Sequence, residues 1–189
     1  MSSLQYGKSM EGVFRLALTG SPGTGKSTIS SLLGNFGFCI GTVEGLAEEL
    51  DCIEEADPED GARPIDVEDL LIKLESAWKE DPKETTIIDG HLSHLLPVDS
   101  VVILRCRPAE LQERLIERSY SNQKIADNVD WEILGGPWAE NGDLVPTIEF
   151  DTSSEDAESI VTAIMEWIAD DFKPRMPLNP IDWVDIGEA

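Results

Sequence analysis

The chain has 189 residues, 41% of them hydrophobic, which suits one globular domain whose core needs no disulfides. Its 38 acidic and 14 basic residues give a formal charge of −24, which argues against general nucleic-acid coating and favours basic protein partners. Three cysteines without a C-x-x-C pair and only two histidines argue against a zinc site and fit a reducing cytoplasm, and no apolar run reaches the roughly 18 residues of a membrane span.

The acid excess is spread along the chain, with short clusters at 48–51 and 54–60. That spread fits a salty cytoplasm and an ordinary acidic cytosolic protein equally well. Residues 1–12 lack the apolar stretch of a secretory signal and read as a short polar tail. An apolar run at 13–19 predicts a first strand, ending in a glycine-rich turn. Residues 26–34 then read as helix and 37–42 as a second strand. Val67, Leu70, Leu71, Leu74 and Trp78 have the spacing of one buried helix face, which predicts a helix over 66–80. Two β-branched runs, 85–89 and 100–105, predict strands three and four. Pro108 sits in the first turn of a helix ending at Arg118, where proline is tolerated. The polar stretch 119–127 is suited to a lid. Residues 147–151 form a last strand and 156–171 a last helix, with Ile160, Val161, Ile164, Trp167 and Ile168 inward. Three prolines make 173–189 read as a loose extension, with Trp183 able to pack somewhere. Cys39 and Cys106 lie beside apolar runs and read as small core residues. Alternating strands and helices predict a three-layer α/β domain built on a five-stranded parallel sheet.

The strongest chemical signal is Gly20-Ser21-Pro22-Gly23-Thr24-Gly25-Lys26-Ser27, a full match to G-x-x-x-x-G-K-[ST]. It follows a predicted strand and opens a predicted helix, a context that argues against an ordinary glycine-rich turn. Glycines let successive N–H groups converge as an anion nest, and the helix N-terminus adds about half a positive charge there. Lys26 would reach the β- and γ-phosphates of ATP, and the Ser27 hydroxyl would ligate Mg²⁺. Asp89, at the end of the third strand, is placed to hold Mg²⁺, often through water. His91, two residues on, is suited to orient a water or a phosphate; the alternative is a surface histidine. Four of the seven arginines fall at Arg105, Arg107, Arg114 and Arg118. Arg114 follows Glu110 by four residues and reads as its ion-pair partner. Arg118, just before the lid stretch, would either stabilise charge on a transferring phosphoryl group or stack on adenine.

Three stretches carry a family resemblance: L-T-G-S-P-G-T-G-K-S-T at 18–28, I-I-D-G-H at 87–91, and E-R-L-I-E-R-S-Y-S-N-Q-K-I-A-D-N at 113–128. With R-P-I-D at 63–66 and E-W-I at 166–168, the chain resembles the atypical adenylate kinase/ATPase family over about 13–172. This is the adenylate kinase isoenzyme 6 type of archaea and eukaryotic nuclei. The resemblance implies a P-loop, nucleoside monophosphate kinase-like fold, with 42–66 gripping the monophosphate, 117–127 as a short lid and 173–189 as an extension. It implies that Gly23, Thr24, Gly25, Lys26, Ser27 and Thr28 bind ATP, that Arg118 contacts it, and that Asp89 and His91 form the Mg²⁺/water motif. It also implies ATP + AMP ⇌ 2 ADP, ATP hydrolysis, and a role in small ribosomal subunit maturation through a basic ribosomal protein. Two places depart from the family pattern. Gly45-Leu46-Ala47-Glu48 stands where some relatives read Asp-Leu-Ala-Arg, and Gly135-Gly136-Pro137 breaks an expected helix. Two rival readings use the same cradle: a small-metabolite kinase, and a nucleotide-switched assembly factor with little kinase activity.

Overall fold

The computed structural model describes residues 12–55, 63–141 and 145–187. Most of the expected 1–12 tail and much of the 54–60 acidic cluster lie outside the described residues.

The strands are β1 (Arg15–Thr19), β2 (Cys39–Thr42), β3 (Thr86–Asp89), β4 (Ser100–Arg105) and β5 (Thr147–Asp151). All neighbours pair in parallel, in the order β2-β3-β1-β4-β5. Helices cover both faces: α1 (Lys26–Asn35), α2 (Val43–Glu49), α3 (Val67–Ala77), α4 (Pro108–Glu117), α5 (Asn122–Ile133), α6 (Gly136–Asn141) and α7 (Ala157–Ala169). Strand alternation divides the core. Leu16 and Leu18 of β1 pack with Ile29, Leu33, Ile160, Ile164 and Trp167 of α1 and α7. Ala17 faces the other way, with Val43, Ala47, Leu70 and Leu74 of α2 and α3. A strand covered on both faces is mostly apolar, and every residue of β4, between β1 and β5, is buried, with 101–104 apolar and Ser100 and Arg105 at its ends. The three-layer α/β architecture is the predicted one. Among the described residues no helix is long and apolar enough to cross a membrane.

Local signals set the helix starts. Side chains of Thr42, Asp66, Ser121 and Asp156 accept backbone N–H bonds at the first turns of α2, α3, α5 and α7. Four details differ from the sequence reading. The second strand begins at Cys39, because Phe36 and Gly37 first close α1, their N–H groups bonding to Leu33 and Gly34 carbonyls. Cys39 therefore lies on an edge strand and is half-buried, while Cys52 and Cys106 are the buried thiols. The polar stretch 119–127 turns at Ser119 (φ 59°) and then enters α5, which continues to Ile133 and buries Ile125 and Glu132. Gly135 (φ 66°) ends that helix, and Gly136-Pro137 opens the short α6, so the expected break is present but a further helix follows it.

The segment 173–187 is not loose. Trp183 is 1% exposed, the Thr147 N–H donates to the Arg175 carbonyl (2.8 Å), and the Ile181 N–H donates to Glu149 Oε1 (2.6 Å). Its prolines exclude regular structure but not docking, and side chains from β4, β5 and α5 supply the partners.

Candidate functional site

The loop from Gly20 to Lys26 joins β1 to α1 at the carboxyl end of the sheet, where parallel α/β domains place ligands. Gly20 has φ 136°, and a Cβ there would stand 2.2 Å from the Leu104 carbonyl oxygen, so no other residue fits. Gly25 caps α1 at φ 90° with open space where a Cβ would be, and no side chain caps the helix. With no acid in that first turn, the positive helix end is left for an exogenous anion. Thr24 braces the loop from beneath: it is buried, and both its hydroxyl and its N–H donate to the Ser21 carbonyl (2.9 and 3.2 Å). Lys26 Nζ reaches back to the carbonyls of Gly20 (2.8 Å) and Ser21 (3.0 Å). Burial pushes this ammonium down to about 8, against the pull of the Asp89 carboxylate and aided by the Arg118 charge.

Asp89 ends β3 directly beside the loop and accepts from Ser30 Oγ of α1 (2.9 Å). Burial raises its pKa, while the Ser30 bond and the Lys26 charge hold it down. A cavity of about 530 Å³ opens over the loop. Gly23, Gly25, Lys26, Ser27, Thr28, Asp89, His91 and Arg118 all line it, so these expected site residues share one space and only Thr24 lies under the floor. Arg118 and His91 are exposed side chains at its walls. Loss of solvent on the side facing the cavity wall lowers the His91 pKa, and the Lys26 charge lowers it further.

Arg114 pairs with Glu110 as its spacing predicts, and it also donates to the Gly23 carbonyl (3.1 Å) and to Thr152 Oγ1 (3.2 Å). That arginine ties α4 to the phosphate loop and does not itself line the cavity. Sequence reasoning missed Glu44, which lines the cavity from the first turn of α2, whereas Tyr120, Lys124 and Asn128, which also line it, stood in the lid-like stretch at 113–128 without an assigned role. Lys124 and Asn128 are four apart on α5, so the Lys-x-x-x-Asn spacing of that stretch puts both on one helix face. Glu48 proved to have its own cation: Arg63 Nη1 lies 3.0 Å from Glu48 Oε1 in the segment expected to grip a monophosphate.

Sequence reasoning also missed a buried polar layer behind the loop. His94 Nδ1 meets Thr19 Oγ1 (2.8 Å), its Nε2 meets Glu140 Oε2 of α6 (3.0 Å), and Thr19 Oγ1 also contacts the His91 carbonyl (3.0 Å). Burial lowers the His94 pKa although Glu140 opposes it. Across the loop, Glu132 of α5 accepts from Ser21 Oγ (2.6 Å) and from Arg105 Nε (2.7 Å). Both sides of Gly20 are thus held by the α5–α6 unit.

The cavity suits Mg·ATP on chemical grounds. Ser27, Asp89 and Glu44 present hard oxygen donors, which match Mg²⁺. Lys26, Arg118 and Lys124 surround the same space with positive charge, in a chain where cations are scarce, and match a polyphosphate.

Comparison with known proteins agrees with this geometry. The AAA domain family matches residues 16–135. Proteins named "Putative adenylate kinase" from Archaeoglobus fulgidus and Pyrococcus abyssi are 38% and 36% identical, over 172 and 173 residues. The matches cover 89% and 90% of this chain and 91% and 92% of theirs. Solved structures with a similar fold include a shikimate kinase from Acinetobacter baumannii (TM-score 0.58, 14% identity, 84% of this chain and 94% of that one). A gluconokinase from Sinorhizobium meliloti is also similar (TM-score 0.56, 15% identity, 88% and 96%). With its phosphate loop intact and these archaeal relatives matched over nine-tenths of their length, the chain belongs to the atypical adenylate kinase-like family of P-loop proteins.

Proposed function

We propose that this protein is a nucleotide kinase that moves the γ-phosphoryl group of ATP to AMP, with ATP hydrolysis as a side or timing activity. One observation carries the reading: a single cavity gathers Pro22, Gly23 and Gly25 of the phosphate loop with Lys26, the strand-end carboxylate of Asp89, and the basic side chains Arg118 and Lys124. The names of the archaeal relatives support adenylate as the nucleotide acted on.

In this reading Lys26 leaves its two loop carbonyls and pairs with the β- and γ-phosphates. Mg²⁺, held by Ser27 and through water by Asp89, would neutralise charge on the transferring group. Residues 117–127 act as the lid, and their closure brings Arg118 onto the phosphoryl group and excludes water. The monophosphate would be gripped by 42–66, of which 56–62 lie outside the described residues, with Arg63 able to exchange its exposed pairing with Glu48 for a phosphate. In the absence of AMP, His91 at the wall orients an attacking water. The charge of −24 supports a basic protein partner, such as a small-subunit ribosomal protein met during subunit maturation.

Product analysis tests the assignment. ATP with AMP should give two ADP for each AMP consumed, and Lys26→Ala should give none. Equal ADP release with and without AMP, with AMP untouched, would replace the kinase by an ATPase timer, whose turnover a basic ribosomal protein should then stimulate. Phosphorylation of small hydroxy acids in place of AMP would point to a metabolite kinase.

A further inference from the structure

The Glu132 carboxylate, 0% exposed, collects four donors from three distant parts of the chain. Its Oε1 accepts from Arg105 Nε (2.7 Å), the Cys106 N–H (3.2 Å) and Trp183 Nε1 (3.0 Å), and its Oε2 accepts from Ser21 Oγ in the phosphate loop (2.6 Å). Arg105 reinforces the assembly from the other side, donating to the Glu132 and Ile181 carbonyls (2.8 and 3.1 Å). A buried carboxylate must have its charge compensated, so these partners are mutually dependent, and loss of one redistributes the others. Ser21 and Trp183 donate to the two different oxygens of one carboxylate, so Glu132 links them.

We propose that Glu132 is a positioning residue that fixes the phosphate loop for Mg·ATP, and that Trp183 of the C-terminal segment sets it by completing the carboxylate's shell. The inference rests on the loop's nucleotide-binding role argued above. Because Glu132 lies near the end of α5, it also anchors the helix whose first turns carry Lys124 and Asn128 to the cavity. Lid movement then pivots at that end, and the C-terminal segment, which does not line the cavity, acts on nucleotide affinity.

The experiment uses the full chain labelled with 5-fluorotryptophan, titrated with Mg·ATP by calorimetry and fluorine NMR. The Trp183 resonance is the one that disappears in Trp183→Phe. Saturating Mg·ATP should shift it in the wild type and leave it in place in Ser21→Ala. Loss of one hydrogen bond to a charged group should weaken Mg·ATP binding roughly tenfold in Ser21→Ala and in folded Trp183→Phe, with the double variant no weaker than the worse single one. Should Trp183→Phe fail to fold, Ser21→Ala and Glu132→Gln decide by affinity alone. A Trp183 resonance that ignores Mg·ATP, or folded variants that bind within about twofold of wild type, overturns the proposal. No uptake by the wild type would instead sink the nucleotide reading beneath it.

Discussion

Raising the pH should weaken Mg·ATP binding through one lysine. Lys26 sits against two loop carbonyls, and burial has pushed it down to about 8. A bound polyphosphate favours the ammonium, so the nucleotide complex holds the proton that the free protein has begun to lose. Titration about that value leaves roughly 0.1 of free Lys26 neutral at pH 7, about 0.5 at pH 8 and about 0.9 at pH 9. Binding should therefore take up about those fractions of a proton, and affinity should fall about twofold by pH 8 and about tenfold by pH 9 from its acid limit. Calorimetry with excess Mg²⁺, in buffers of different ionisation heat, reads the uptake directly. Lys26→Arg, charged throughout, should show none. Folding responds with the opposite sign. The unfolded lysine keeps its proton to about 10.5, so between about 8 and 10.5 the unfolded chain binds more protons. The desolvation cost this lysine imposes below about pH 8 is relieved across that window, and its contribution to stability rises with pH. No proton uptake at pH 8, together with a flat affinity from pH 7 to 9, would refute the reasoning.

Arg118→Ala should cut turnover by about 10³-fold and change ATP affinity little, because its role falls on the transferring group; equal loss of both in steady-state and binding assays would count against it. Gly20→Ala places a methyl 2.2 Å from the Leu104 oxygen at φ 136°. It should lower the melting temperature and abolish measurable Mg·ATP uptake, with backbone strain of about 1–3 kcal/mol contributing. Trp167 is 3% exposed, packs edge-to-face on Phe172 at 5.1 Å and donates to the Pro174 carbonyl (2.9 Å). Trp167→Ala should cost about 3–5 kcal/mol in urea denaturation, and a loss below about 1 kcal/mol would show that the C-terminal contacts matter little.

What could be read in advance followed from how many roles each residue serves at once. The run ending at Thr19, the loop and α1 were legible because propensity, burial and phosphate chemistry all demand the same residues there. The apolar run 101–104 inside β4 was legible for the same reason. Helix α5 was not, because its inward side includes Glu132, and a buried acid erases the apolar spacing that marks a helix. Its charge is compensated by Arg105, a residue 27 positions away, and that pairing exists only once the sheet has formed. Glu48 likewise stood only as a departure from the family pattern, since its partner Arg63 lies 15 positions away and meets it only on folding. The prolines of the C-terminal segment hid its docking, since nothing local says that Trp183 finds a carboxylate on another element.

The covering of β5 has a consequence for how copies of this protein meet. Thr147 and Asp151 turn their N–H groups away from β4, and these are already engaged, by the Arg175 carbonyl (2.8 Å) and by Glu155 Oε1 (3.3 Å). At the other margin β2 is only four residues long and includes a glycine. One side of the sheet is occupied by its own chain, and the other is too short to template a foreign strand, so neighbouring molecules in a crowded cell gain little from pairing edge to edge.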